Sequence, residues 1–218
     1  MGLDVSFLPL SHIAALPLSY EWDDWDPYEV VGEAEEQLID RLAGLSFRAV
    51  AAFAIGCAEW VVCRFARVSD DPAPLQYLEA CWAYIMTDVF ESPPEMEDED
   101  WKGEVRGAMN LALMTVLNTL YGFEDESPEP EAAFADRVAL HVLNGDAMYI
   151  AWRENVLQRL AAAYRRDEAD PFGPVVPREI INPQVATAAE QAEALVEQFL
   201  AKIDVRANPY LLPFDEEE

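Results

Sequence analysis

The stretch "SFRAVAAFAIGCAEWVVCR", residues 46–64, limits the fold more than any other part of the chain. A helix drawn through it is apolar on nearly every side, so a single neighbour cannot bury it. Glu59 interrupts the run and arginines flank it, which makes it too short and too charged to span a bilayer. The reading is a helix from about Ser46 to Val68 that other helices enclose.

The rest of the chain supplies those helices. In "DPYEVVGEAEEQLIDRLAGL", Asp26 stands as N-cap, Pro27 at N1 and Glu29 at N3, close to a capping box. Val31, Ala34, Leu38 and Leu42 then form one stripe, and Gly44 closes the helix. A third helix opens at Asp71–Pro72 and turns Leu75, Leu78, Trp82 and Ile85 inward. Residues 101–123 form another, and Ser127–Pro128 to Gly145 the next. Residues 146–166 carry Tyr149, Trp152, Val156, Leu160 and Ala163 at helical spacing. A Thr187…Glu190 capping box opens the last, with Ala192, Leu195, Val196, Phe199, Leu200 and Ile203 on one face. Extended pieces are expected only near residues 3–9 and 174–181.

The expected fold is therefore an all-α, single-domain bundle of about seven helices over residues 1–218. Its parts are an N-terminal arm (1–25), a helical core (26–166), a proline-rich loop (167–186), a C-terminal helix (187–203) and an acidic tail (204–218). Arms of this length either pack on the bundle or form a binding surface.

Charge narrows the partners. Against 42 acidic residues stand 14 basic ones, a formal net charge of -28. Such a surface repels nucleic acid and anionic membrane and favours encounters with cations. The basic residues Arg153, Arg159, Arg165, Arg166 and Arg178 are too few to offset it and are expected to pair with acids. Cys57, Cys63 and Cys81 lie in apolar surroundings and are odd in number, which fits free thiols in a reducing compartment. With no basic n-region before the apolar N-terminus, a cytoplasmic protein is expected.

Catalytic patterns are sparse. His12 has no visible partner in its arm, and His141 sits in the apolar stretch "VALHVLNG", where a satisfied rim histidine is the expectation. No glutamate stands three residues before either histidine, so the di-iron pattern of helical bundles is missing. "NTLYGFEDE", residues 118–126, resembles the second metal motif of all-α terpene synthases at Asn118 and Glu126. Gly122 replaces the hydroxyl ligand, and "DDWDP" does not supply the aspartate-rich partner motif. The expectation is no enzyme, no cofactor and no metal.

The stretch "YEWDDWDPYE", residues 20–29, interleaves two tryptophans and two tyrosines with carboxylates. Tryptophans there can staple the arm to the bundle. They can equally supply contact area while the aspartates pair with lysine or arginine of a partner. "PPEMEDEDW", residues 93–101, repeats the mixture. The candidate partner-binding residues are Trp22, Asp23, Asp24, Trp25 and Asp26, with Glu95, Glu97, Asp98, Glu99 and Asp100 as a second patch.

In size, acidity and helical character the whole chain resembles the bacterial immunity proteins of toxin–immunity pairs. The resemblance rests on no motif and transfers no site residue. It implies a stoichiometric acidic inhibitor that neutralises a basic toxin, a nuclease or another nucleotide-handling effector. The same charge also fits an acidic chaperone or adaptor for a secreted protein, or a mimic of DNA. A carboxylate-metal helical enzyme is the remaining alternative.

Overall fold

Apolar helix faces without a sheet to cover them must be buried against one another. The computed structural model describes residues 3–96, 101–186 and 191–214. Among these residues it contains nine α-helices and no strand, only isolated bridges. The helices are α1 (Leu10–Ile13), α2 (Pro27–Val31), α3 (Glu36–Ala43), α4 (Phe47–Arg64), α5 (Ala73–Met86), α6 (Gly103–Tyr121), α7 (Glu129–Val142), α8 (Ala147–Ala163) and α9 (Ala192–Leu200). A 3₁₀ turn, Arg178–Ile181, precedes α9.

Helix α4 is the centre. It touches α1, α5, α6, α7, α8 and the 3₁₀ turn, and all but one of its residues are buried. It stops at Arg64 rather than Val68. Beyond Phe65 the chain tightens into turns such as Val68 N–H to Phe65 O at 2.9 Å. Residues 66–68 are exposed, so packing no longer supports a helix there.

The single helix expected from Asp26 to Gly44 is two. Asp26 does cap, accepting the Glu29 N–H at 3.0 Å, but α2 ends at Gly32, which takes φ 80° and ψ -178°. A side chain there would be strained and would meet the Arg137 guanidinium at 3.2 Å. Val31, Leu38 and Leu42 are buried all the same, with Ala34 half-buried.

Other boundaries shift too. Residues 3–9 make turns leading into α1, and residues 178–181 form the 3₁₀ turn instead of an extended piece. Ala163 is exposed, because α8 has reached the edge of the core. Helix α9 runs from Ala192 to Leu200. Thr187 and Glu190 lie outside the described residues.

Two buried polar networks hold the fold together, and the first ties the arms to the bundle. Arg178 Nε and Nη2 donate to Glu59 Oε1 and Oε2 at 3.0 and 2.7 Å, and Trp82 Nε1 donates to Oε1 at 2.7 Å. Arg178 Nη1 also donates to the Asp4 carbonyl at 2.6 Å, and the guanidinium lies 5.2 Å from the Phe7 ring centre. One fork thus fastens both arms to α4. In the second network the Tyr149 hydroxyl donates to Asp136 Oδ1 at 2.7 Å, and Arg153 pairs with Oδ2 at 3.0 Å. Burial pushes the Asp136 carboxyl up, against the pull of Tyr149 and Arg153. The segment expected to be an acidic tail is clipped to α5 and to the residues just after it, as far as it is described. Asn208 Nδ2 donates to Glu79 Oε2 at 3.0 Å, and Phe214 N–H to Val89 O at 3.0 Å.

Candidate functional site

One side of α6 carries Gly107, Asn110, Met114, Asn118 and Tyr121, spaced three to four residues apart and so stacked along a single stripe. The stretch 20–29 runs onto the start of this stripe. Tyr20 is buried, and its hydroxyl donates to the Glu104 carbonyl. The Trp22 ring lies directly over Gly107, where an added Cβ would sit 2.8 Å from Cζ2 and 2.9 Å from Nε1. Glycine is needed here for close approach, because a methyl group would push the ring off the helix. Gly107→Ala is expected to lose about 1–3 kcal/mol through overpacking. Thermal unfolding followed by tryptophan emission measures the loss and reports the displacement of Trp22.

Asp24 is the clip of this contact. Its Oδ1 accepts the Trp22 indole N–H and the Gly103 amide, both at 2.7 Å. The indole bond first, then the amide bond, hold its carboxyl below the usual aspartate range. A carboxyl lower in the folded than in the unfolded chain stabilises above its unfolded pKa, about 3.9, and loses that contribution as pH falls through the lowered value. The melting-temperature difference between wild type and Asp24→Asn is therefore expected to be constant above about pH 5 and to shrink below about pH 4. Parallel melts across that range measure it.

The second tryptophan behaves differently. Asp23 Oδ1 accepts the Trp25 N–H at 2.8 Å and fixes the turn, yet the Trp25 side chain stands in water, 96% exposed. Of the two tryptophans, Trp22 staples the arm and Trp25 packs on nothing. Tyr28 is exposed while stacking on Phe134, ring centres 5.2 Å apart.

The stretch 93–101 reaches the same side of α6. Glu95 is exposed, Met96 half-buried, and the Pro94 carbonyl accepts the Tyr77 hydroxyl at 3.1 Å. Glu97, Asp98, Glu99 and Asp100 lie outside the described residues. A 230 Å³ cavity lies between Trp22, Asp24, Tyr28 and Trp101, and a 140 Å³ cavity between Tyr77, Glu95, Met96 and Asn118. Asn110 and Met114 line both. Of the two patches read from the sequence, Trp22 and Asp24 line one of these cavities and Glu95 the other.

Around these cavities Met114 and Tyr121 are exposed apolar groups. Burial first, then the Glu95 and Glu124 charges, push the Tyr121 phenol up, and Glu131 accepts from Asn118 Nδ2 at 3.3 Å. Carboxylates therefore rim a centre of aromatic rings and thioether. Two cations stand nearby. Lys102 lines the larger cavity, and Arg106 is committed to Asp71 at 2.9 Å and to the Trp101 ring, 4.7 Å from its centre. Asn110, Met114 and Tyr121 were missed by sequence reasoning. The available signal was a lone asparagine within the apolar run "GAMNLALM".

The remaining candidates are partnered or buried within the fold. His141 Nε2 bonds the Glu21 carbonyl at 2.7 Å. His12, expected to lack a partner, bonds Asp146 Oδ2 at 2.8 Å across the fold. Arg153 and Arg166 pair with Asp136 and Glu129, Arg178 with Glu59, while Arg159 and Arg165 donate to backbone carbonyls. Cys57, Cys63 and Cys81 are free and buried, and burial drives all three thiols upward, away from the reactive thiolate. Among the described residues no group of three or more His, Cys, Asp or Glu is placed to hold a metal ion, and no helix is long and apolar enough to cross a membrane. No protein family, curated protein or solved structure matches the chain.

Proposed function

We propose that this chain is a stoichiometric inhibitor of a cationic protein, of the immunity-protein kind, and that it captures its partner on the α6 face. The observation that carries this reading is Trp25, a tryptophan left in water beside a groove rimmed by carboxylates. A large ring left 96% exposed adds little to folding, whereas on a partner it is the residue type that dominates interfaces. The surrounding negative charge would draw a basic protein in rapidly, which an inhibitor needs if its target must be neutralised before acting. Blocking a basic catalytic cleft with carboxylates requires neither a cofactor nor chemistry. The expected target class is a nuclease or another nucleotide-handling effector, met in the cytoplasm, where free buried thiols persist.

The test is capture at graded salt. The tagged protein is incubated with the purified product of the adjacent reading frame of its source. Binding at low ionic strength, sharp release as salt rises, and weakening by Asp23→Asn with Asp24→Asn support the reading. No binding to this basic candidate at low salt overturns it. Capture that requires the partner to be unfolded favours an acidic chaperone instead.

A further inference from the structure

Away from α6, we infer that the cavity between the N-terminal arm, α5, the 3₁₀ turn and the end of α9 binds a small zwitterion, a free apolar amino acid or a dipeptide. The cavity measures 410 Å³, within the range of small-molecule sites, about 300–1,000 Å³. It shares no lining residue with the two cavities along α6, so the inference stands apart from the inhibitor reading. Charges of both signs line it without meeting. Asp4, Glu79 and Glu179 stand on its wall together with Lys202. Among the described residues none of the four is in an ion pair. Elsewhere buried carboxylates are matched by cations, Asp136 by Arg153, Glu129 by Arg166 and Glu59 by Arg178. Arg178 also lines this cavity, but its fork is committed to Glu59.

The carboxylates here are open to a ligand. Glu79 is only 5% exposed, and its one donor is Asn208 Nδ2 on Oε2 at 3.0 Å. A carboxylate so buried is rarely left without a cation. Among the described residues Oε1 of both Glu79 and Glu179 takes no hydrogen bond, and unlike Oε2 of Glu179 neither is sealed from solvent. The lining then selects the occupant. A lone anion would pair with Lys202 but face three carboxylates. A lone cation would leave Lys202 unmatched, and the described carboxylates do not converge as a metal site requires. A neutral molecule matches neither sign. One body carrying both charges matches both, its ammonium donating to Glu79 and Glu179 and its carboxylate accepting from Lys202. Leu3, Phe199 and Ile203 complete the wall and bury an apolar side chain. The bound molecule would brace arm, helix and turn together, so binding to the native state raises the melting temperature.

The probes are leucine and leucyl-leucine, compared with leucinamide, which lacks the carboxylate, and N-acetylleucine, which lacks the ammonium. Each is titrated into protein labelled at leucine and isoleucine methyls, and into parallel thermal melts. Leucine or the dipeptide is expected to shift the Leu3 and Ile203 methyls saturably and to raise the melting temperature. The tighter of the two identifies the source of the zwitterion. Leucinamide and N-acetylleucine are expected to bind about tenfold more weakly or worse. Lys202→Gln, at an exposed position, is expected to melt as wild type does and to lose the same factor in affinity, and so is Glu179→Gln. Leucinamide binding as tightly as leucine overturns the zwitterion, since a cation then suffices. N-acetylleucine doing so overturns it in favour of an anion. No saturable methyl shift with either probe, or equal affinity in wild type and Lys202→Gln, overturns the site itself.

Discussion

Replacing Arg178 with methionine is expected to cost about 3–5 kcal/mol of folding stability, the largest single effect in the chain. Glu59 sits in the middle of α4 with no exposed surface, and among the described residues its two oxygens are met by Arg178 and Trp82. Removing the guanidinium leaves a carboxylate in the most enclosed part of the core, with one indole N–H in place of a charge-assisted fork. The Asp4 carbonyl and the Phe7 ring lose their partner in the same step. Both arms should therefore loosen with the core rather than after it. Urea unfolding measures the loss as a fall in midpoint. The double variant Glu59→Gln with Arg178→Met is expected to recover much of it, because the charge is gone and the glutamine oxygen still accepts from Trp82. A single-variant loss below about 1 kcal/mol would show that water reaches Glu59, contrary to the enclosure described.

The second large effect is on binding and spares the fold. Trp25→Ala removes a ring that contacts almost nothing, so stability should change by no more than about 0.5 kcal/mol. Burying that ring on a partner would take about 200 Å² out of water, a gross gain of roughly 5 kcal/mol. Association and ordering costs consume part of this, and about 2 kcal/mol or more remains at a central tryptophan. Affinity for the captured protein should fall roughly thirtyfold or more. Titration calorimetry with wild type and variant at one salt concentration measures it. Trp22→Ala makes a useful contrast, since it strips the cover from Gly107 and should weaken folding as well as binding.

The sequence made the architecture legible where a pattern has only one physical solution. A helix apolar all round must be enclosed, and α4 is. The Asp26–Pro27–Glu29 cap announced its helix correctly, but nothing local showed that Gly32 would stop it after a turn. That depends on Arg137, far away in sequence, approaching the glycine. The Glu59–Arg178 fork was half-visible. A lone acid in an apolar helix and a lone arginine in "PREII" each needed a partner, yet neither indicates which partner it finds.

The face on α6 was partly legible. Composition drew attention to Trp22–Asp26 and to Glu95, but treated them as two patches. Gly107 and the Asp24 clip bring Trp22 and Asp24 onto the side of α6 that Glu95 also reaches, by contacts of long sequence separation that carry no local signature. The two tryptophans three residues apart look equivalent in the sequence. One is lodged on α6 and the other faces water, because only Trp22 meets a glycine. Asn110 escaped notice because a polar residue inside an apolar helix usually finds a buried partner, and its missing one appears only in three dimensions.

The most direct test of the central claim is side-chain oxidative footprinting of the complex with the captured basic protein. The inhibitor reading predicts that Trp25, Tyr28, Met114 and Tyr121 are oxidised in the free chain and protected together in the complex. Exposed Met148 and Phe172, which line neither cavity of the groove, should react equally in both states. Protection at Met148 or Phe172 with Trp25 as reactive as before would contradict it, and would place the partner on a different surface of the bundle.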